Sequence, residues 1–411
     1  MKGCRFITNG IHLAHKPDLS TQEIAPCCAF KPEAFTNTGQ QQYRHHLHQL
    51  QPLDQYLQQV NNDPGFTYDK LRKTACTRCD HYESQFGYRR RVGRHTIYSS
   101  LRGRGEERIP EDIPAGKIAY LDVMFSNFCN HACTYCDASF SSMWNDTARE
   151  LEPTHEYFKF MGNTNDYNTL DRERETLDLI LDSDLSELRY IAVKGGEPFM
   201  ARVFHEFMAA LDSRCDLSRV SMIINTNNSI WPRQSIMDTF GKLEHLYLQI
   251  SGESTGALAE YIRYGTDWPK FVENTQRWQQ YQRQHNNTTI YFQSTVNILN
   301  VNRLSDWLDW LDHMGIDSQD TNWPTQVWGS QDYRKLLTKR QAKILYKRYK
   351  HMKHPQWREF LMENLDPEHY PEHEPKLLPH YRTVMSQMEK HRRNSLREVN
   401  PEMHDWLNIS H

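Results

Sequence analysis

Apolar residues fall into two periods along this chain. Short runs rich in β-branched and aromatic residues predict strands at Ala119–Phe125, Leu188–Val193, Val220–Asn225, His245–Ile250, Thr289–Asn297 and, more weakly, Thr321–Val327. Between them, apolar positions recur at helical spacing. Leu170, Leu177, Ile180 and Leu181 share one face; so do Val203, Phe204, Phe207 and Leu211, and Leu304, Trp307, Leu308 and Leu311. Strands alternating with helices predict an α/β fold with a parallel sheet and right-handed crossovers. Outside this region the patterns change. Leu53–Val60 and Tyr68–Lys73 read as short helical pieces, and Leu337–Met352 and Leu377–Val399 as helices of a proline-punctuated tail. Gly103, Gly105, Pro110 and Pro114 mark a linker. The chain therefore divides into 1–118, 119–335 and 336–411.

Composition narrows the class. At 411 residues the chain accommodates two or three domains, or one barrel with additions. Hydrophobic residues at 38% and charged residues at 25% fit a soluble globular protein. A net charge of −3 offers no overall basic field, so nucleic acid is not expected as a partner. No apolar run approaches a membrane span, so no membrane association is expected. The start, Met1-Lys-Gly-Cys-Arg-Phe, lacks the apolar core of a signal peptide.

The cysteines change the picture most. There are nine, and all but Cys215 precede residue 137. Without a secretory signal they point to metal or catalysis rather than disulfides, and to a reducing, cytoplasmic location. Cys129, Cys133 and Cys136 follow the first predicted barrel strand at C-x3-C-x2-C spacing. Three thiolates can hold three irons of a [4Fe-4S] cube, and the fourth iron then stays open to an exogenous ligand. A zinc site or buried free thiols are the plainer alternatives. Upstream, Cys76-Thr-Arg-Cys79 is a chelate spacing; Cys4 and one of the adjacent Cys27 and Cys28, here taken as Cys27, complete a four-thiolate set for zinc or iron–sulfur.

Unusual residues also gather where the predicted strands end, which is where (β/α) barrels place their sites. Lys194-Gly195-Gly196-Glu197-Pro198 follows the second strand. Its glycines allow close approach of backbone to a ligand, and Glu197 is an acceptor for an ammonium. Asn225 and Thr226 end the third strand, Ser251 the fourth, and Val296 lies on the fifth. The plainer readings are an ordinary strand-to-helix turn for the first and, equally simply, asparagine turn chemistry for the second.

Together the cysteine spacing, the Gly-Gly-Glu-Pro turn and the segment Glu260-Tyr-Ile-Arg263-Tyr-Gly265-Thr-Asp-Trp268 resemble the radical S-adenosylmethionine (SAM) superfamily. The resemblance implies a partial (β/α)6 barrel over 119–335. It implies that SAM's methionine binds the open iron, with reductive cleavage to a 5′-deoxyadenosyl radical. Tyr135 would pack on adenine, and Gly195, Gly196, Glu197 and Pro198 would bind the methionine amino group. Asn225, Thr226 and Ser251 become candidates for the carboxylate or ribose, and backbone around Val296 for adenine. Arg263 either pairs with the carboxylate or buttresses the barrel. Relatives often carry Ser-x-Asp-Gly where this chain has Ile250-Ser251-Gly252, which leaves Glu253 without an assigned role. Cys4, Pro26-Cys27-Cys28 and Cys76/Cys79 resemble a SPASM/twitch module, implying a second, auxiliary [4Fe-4S] cluster in 1–118.

The resemblance implies a radical SAM enzyme served by an electron donor such as flavodoxin or ferredoxin. A peptide or protein is the first expectation for its substrate, with a nucleotide, sugar or other small molecule as the rival. No residue announces itself as proton acceptor or final hydrogen donor. A non-enzymatic zinc protein holding nucleic acid through Arg89–Arg104 is the reading from another class. The plainer reading of those arginines is a solvated or domain-bridging face, and of His45, His46 and His48 a polar surface. Cys215 reads as a structural thiol.

Overall fold

Strands form where the apolar runs allow burial on both faces. In the computed structural model, which describes residues 9–15, 22–25, 52–62, 112–136, 140–144, 170–316, 324–326, 331–371 and 377–407, Tyr120–Val123 is buried at every position. It pairs in parallel with Tyr190–Val193, which pairs in turn with Ser221–Thr226, His245–Ser251 and Thr288–Gln293. Burial along nearly the whole of each strand is what a parallel sheet covered on both faces requires.

In chain order the strands are β1 (Gly10–His15), β2 (Gln22–Ala25), β3 (Tyr120–Val123), β4 (Ala132–Cys133), β5 (Tyr190–Val193), β6 (Ser221–Thr226), β7 (His245–Ser251), β8 (Arg263–Tyr264), β9 (Thr288–Gln293), β10 (Thr295–Val296) and β11 (Thr325–Gln326). The main sheet has seven of them in the order β2-β1-β3-β5-β6-β7-β9. All neighbours in it are parallel except β2, which runs antiparallel to β1. Crossovers carry α2 (Leu170–Leu181), α3 (Arg202–Leu211), α4 (Gln234–Phe240), and the pair α5 (Gly256–Ile262) and α6 (Trp268–Gln284), while α1 (Leu53–Asn62) precedes β3. The architecture is α/β with a mostly parallel sheet.

Two features depart from the expected strand pattern. Gly10–His15 adds a parallel strand beside β3, with Ile11 and Leu13 fully buried, so residues from the N-terminal stretch join the main sheet. The expected run Thr289–Asn297 is split at Ser294. The Ser294 hydroxyl donates to the Gly252 carbonyl at 2.6 Å and accepts from Trp307 Nε1 at 3.0 Å. This buried pair of bonds turns the chain out of the ladder, and β10 pairs with β11 in a separate two-stranded sheet. The sixth predicted strand is described only at Pro324–Gln326. Pro324, buried, immediately precedes β11, in keeping with a residue that cannot donate to a ladder.

The predicted helix faces are the buried ones. Val203, Phe204, Phe207 and Leu211 of α3 lie against the core, as do Leu304, Trp307, Leu308 and Leu311 of α7 (Leu304–His313). Six more helices follow among the described residues: α8 (Tyr333–Leu336), α9 (Lys339–Tyr349), α10 (Pro355–Leu365), α11 (Leu377–Glu389), α12 (Leu396–Val399) and α13 (Pro401–Leu407). A capping box of Thr338 with Gln341 starts α9, and Pro355 starts α10. The tail is fastened to the segment ahead of α7 and within itself. Asn302 and Asn400 exchange side-chain hydrogen bonds at 2.9 and 2.8 Å, and Arg348 grips Glu402 through both terminal nitrogens.

Candidate active site: a braced cysteine loop at the strand ends

Met124 to Ser126 continue from β3, and the cysteine loop begins beyond them. The loop is held largely through its own carbonyls. Glu197 N–H donates to Phe128 O at 2.8 Å and Trp144 Nε1 to Cys133 O at 3.2 Å. Gln331 Nε2 donates to Thr134 O. Arg392 Nη2, from beyond α11, donates to Ala132 O at 3.0 Å. β4 pairs antiparallel with β8, setting Cys133 opposite Arg263. The loop's shape is thus imposed from the β5 turn, the segment after the cysteines, the segment before α8 and the tail.

The Gly195-Gly196-Glu197-Pro198 turn sits against this loop. Gly195 and Gly196 both have positive φ, +83° and +54°. A Cβ on Gly196 would stand 2.4 Å from Phe128 O, and one on Gly195 1.9 Å from Met124 Cγ. Only glycine allows this approach of turn to loop. Glu197 then caps the short turn Pro198–Met200 by accepting from Phe199 N. Its carboxylate is fully buried and also accepts from Thr226 Oγ1 at 2.9 and 3.0 Å and from Asn227 N at 2.7 Å. Burial raises the Glu197 carboxyl to about 7, against the three donors that favour its ionised form.

Two of the three loop thiols face N–H donors. Cys129 Sγ accepts from His131 N at 3.4 Å and from Asn227 Nδ2 at 3.7 Å. Cys133 Sγ, buried, lies 3.8 Å from Arg263 Nη1. Cys136 is half-buried, with its N–H on Cys133 O. As free thiols these groups are hard to ionise: burial pushes Cys129 up to about 12 and also raises Cys133. Coordination reverses that preference, because a metal-bound thiol is deprotonated outright. The N–H groups already aimed at sulfur would then become charge-assisted hydrogen bonds. Among the described residues, no three Cys, His, Asp or Glu side chains close around a single-ion position. An iron–sulfur cube spreads its thiolates over separate irons. Three soft ligands on one loop, with donors turned toward sulfur, fit such a cluster.

A buried charged group lies behind Cys133. Arg263 Nε and Nη2 donate to the Glu253 carboxylate at 2.7 to 3.0 Å. Tyr135 donates its hydroxyl to the same carboxylate at 3.0 Å, with the guanidinium 5.4 Å from its ring centre. Glu253 and Arg263 are 1% and 8% exposed, so neither charge relies on water. Sequence reading left Glu253 without a role. The signal available was its ten-residue spacing from Arg263, which carries meaning only once β8 folds back on β4.

The other candidate residues are distributed as follows. Thr226 is engaged by Glu197. Asn227 and Asn228 are turn-forming residues, and Asn228 has φ +62°. Asn225 and Ser251 are half-buried at the ends of adjacent strands. Among the described residues neither makes a side-chain hydrogen bond. Val296 is buried on β10. Pro198 is buried at the start of its short turn. Lys194 pairs with Asp122 of β3 at 2.8 Å. Cys215 is half-buried, away from the loop, with its thiol on Leu211 O. Cys4, Cys27, Cys28, Cys76, Cys79, the histidines at 45, 46 and 48, Tyr68–Lys73 and Arg89–Arg104 lie outside the described residues. Asn227 and Arg392 were missed in the sequence: the first adjoins a noted pair, and the second has no local signal at all.

No protein-family model matches the chain, and no curated protein matches it. Among solved structures it is similar to native anSMEcpe with bound AdoMet, at 13% identity over 56% of this chain and 58% of that one, with a TM-score of 0.38. It is also similar to Streptococcus suis SuiB bound to S-adenosylmethionine, at 12% identity, 56% and 43% coverage and a TM-score of 0.32. SuiB bound to precursor peptide SuiA gives 12% identity, 56% and 44% coverage and a TM-score of 0.33. The chain spans less than two thirds of the length of each.

Proposed function

We propose that this chain is a radical SAM enzyme, with Cys129, Cys133 and Cys136 holding a [4Fe-4S] cluster at the mouth of a partial (β/α)6 barrel. The observation that carries the reading is the braced loop: three thiols beyond the end of β3, joined by backbone hydrogen bonds to a Gly-Gly-Glu-Pro turn that only glycine permits. When bound, the cluster and SAM would supply one-electron reductive cleavage of the sulfonium and hydrogen-atom abstraction from the substrate.

The protein's own residues bind and orient. Gly195 and Gly196 bring backbone close to the loop and leave room for a ligand's methionine end. Glu197, already held by Thr226 and Asn227, fixes that turn and presents negative charge toward an ammonium. Asn225 and Ser251 have side-chain groups not engaged by described neighbours and are assigned to SAM's carboxylate or ribose. Tyr135 and backbone at Val296 are assigned to the adenine. Arg263, with its Nε–Nη2 edge on Glu253 and its remaining nitrogen toward Cys133, takes the buttressing role rather than the SAM carboxylate.

The finer assignments follow the sequence resemblance. Cys4, Cys27, Cys76 and Cys79 are assigned to an auxiliary [4Fe-4S] cluster in a module over 1–118, ahead of the barrel at 119–335 and the helical extension at 336–411. The substrate is assigned as a peptide or protein, and the electron donor as a flavodoxin- or ferredoxin-like protein of the cytoplasm. The test is iron and sulfide analysis of anaerobically purified protein, followed by dithionite and SAM with detection of 5′-deoxyadenosine by mass spectrometry. About four irons are expected from one cluster and about eight from two. Zinc at the Cys129 triad with no 5′-deoxyadenosine overturns the reading.

A further inference from the structure

The Glu253–Arg263 pair poses a physical question. Removing two charges from water is costly, and a buried ion pair is often no more stable than apolar residues of the same volume. Here the pair lies directly behind one of the three thiols. Glu253 takes the Nε–Nη2 edge of the guanidinium through three contacts of 2.7 to 3.0 Å. Tyr135 adds a third donor to the same carboxylate. That fork fixes the plane of the guanidinium, as bidentate arginine–carboxylate pairs do. The fixed plane leaves Nη1 facing Cys133 Sγ at 3.8 Å.

Against a neutral thiol this contact is weak. Against a metal-bound thiolate it becomes a charge-assisted hydrogen bond in a site shielded from water. Hydrogen bonds to cluster sulfurs and nearby net charge are among the factors that set iron–sulfur potentials. One-electron reduction adds a negative charge to the cluster, and a guanidinium at contact distance from its ligand favours that reduced form. Glu253, on the far edge of the guanidinium, opposes it more weakly from farther away.

We infer that Arg263, oriented by Glu253, is a positioning residue that donates to the Cys133 thiolate and raises the reduction potential of the cluster. This inference rests on the proposal that Cys129, Cys133 and Cys136 hold a [4Fe-4S] cluster. It concerns the ease of reduction and not the hydrogen-atom transfer.

The experiment is a redox titration of anaerobically reconstituted protein, followed by electron paramagnetic resonance of the reduced cluster, with iron and sulfide content measured on each sample. Arg263→Gln removes the positive charge. It is expected to lower the reduced-to-oxidised ratio at fixed poise about tenfold, which is about 59 mV for a one-electron couple. Glu253→Gln keeps an acceptor oxygen that holds the guanidinium in place but removes the opposing charge, and is expected to shift the midpoint the other way. Arg263→Lys retains the charge and is expected to fall between wild type and Arg263→Gln. Opposite signs from two neighbouring substitutions are not produced by general loosening of the fold. Unshifted midpoints, shifts of the same sign, or loss of the cluster from both Gln variants while wild type keeps it would each overturn the inference. A wild-type protein that takes up no cluster is a different failure, seen in the iron content, and sinks the functional reading as well.

Discussion

Thr226 Oγ1 lies 2.9 Å from Oε1 and 3.0 Å from Oε2 of Glu197, so one hydroxyl at the end of β6 secures a fully buried carboxyl from the turn after β5. The two residues tie neighbouring strand ends at the point where the turn meets the cysteine loop. Burial holds Glu197 up at about 7, above its ordinary carboxylate value. A carboxyl raised in the folded state binds its proton more readily there than in the unfolded chain. Its contribution to stability is therefore full below the unfolded value and is lost as pH rises toward about 7. Glu197→Gln is expected to flatten that part of the stability profile. Guanidinium unfolding of both proteins at a series of pH values from 5 to 8 measures it; parallel profiles would count against the assignment.

Gly196→Ala is expected to be costly in two ways. The new Cβ meets Phe128 O at 2.4 Å, and φ of +54° is poor for any L-residue. A loss of about 1–3 kcal/mol is expected from the strained backbone alone, together with lower iron uptake on reconstitution. Gly256 is the control. It has φ of +56° but nothing within 4 Å of its added Cβ. Thermal unfolding should show Gly256→Ala as the milder change of the two.

Asn228 combines a positive φ with four internal bonds: its N–H donates to Thr226 Oγ1, its Nδ2 to Phe271 O and Thr275 Oγ1, and its carbonyl accepts from Asn274 Nδ2. Asn228→Gly keeps the backbone and loses the two side-chain donations, at about 2 kcal/mol. Asn228→Ala loses the same two and adds left-handed strain, so it is expected to be about 1 kcal/mol worse. Equilibrium denaturation of the two variants gives the ordering, and Ala equal to Gly would remove the strain argument.

Arg392 donates to Ala132 O and Tyr261 O, and its guanidinium lies 5.5 and 5.1 Å from the ring centres of Tyr261 and Tyr264. Arg392→Ala is expected to cost about 3 kcal/mol through lost charged hydrogen bonds. Its effect should centre on the β4–β8 pair. Hydrogen exchange at the Thr134 amide, which is bonded to Ile262 O at 2.8 Å, should quicken more than that of amides within β6.

What the sequence made legible follows from how local each signal is. Tyr120–Val123, Tyr190–Val193, Ser221–Thr226 and His245–Ser251 are largely apolar runs because parallel strands bury both faces, and burial is written into each run alone. The cysteine spacing is equally local. Gly10–His15 was not seen as a strand because its large apolar residues are only Ile11 and Leu13, and its partner β3 comes about a hundred residues later. The break at Ser294 depends on contacts from Gly252 and Trp307, which a β-rich run cannot register. Glu253 acquires its role only when Arg263 folds back beside Cys133. Arg392 meets the loop across a separation of 260 residues, and no pattern near either end foretells it.

That last separation bears on the order of events during synthesis. Domains assemble as the chain emerges from its N-terminus, yet the clamp on the Ala132 carbonyl comes from a side chain translated long after the strands and glycines around it. A ribosome-bound intermediate can therefore close its sheet while the cysteine loop still lacks its final brace.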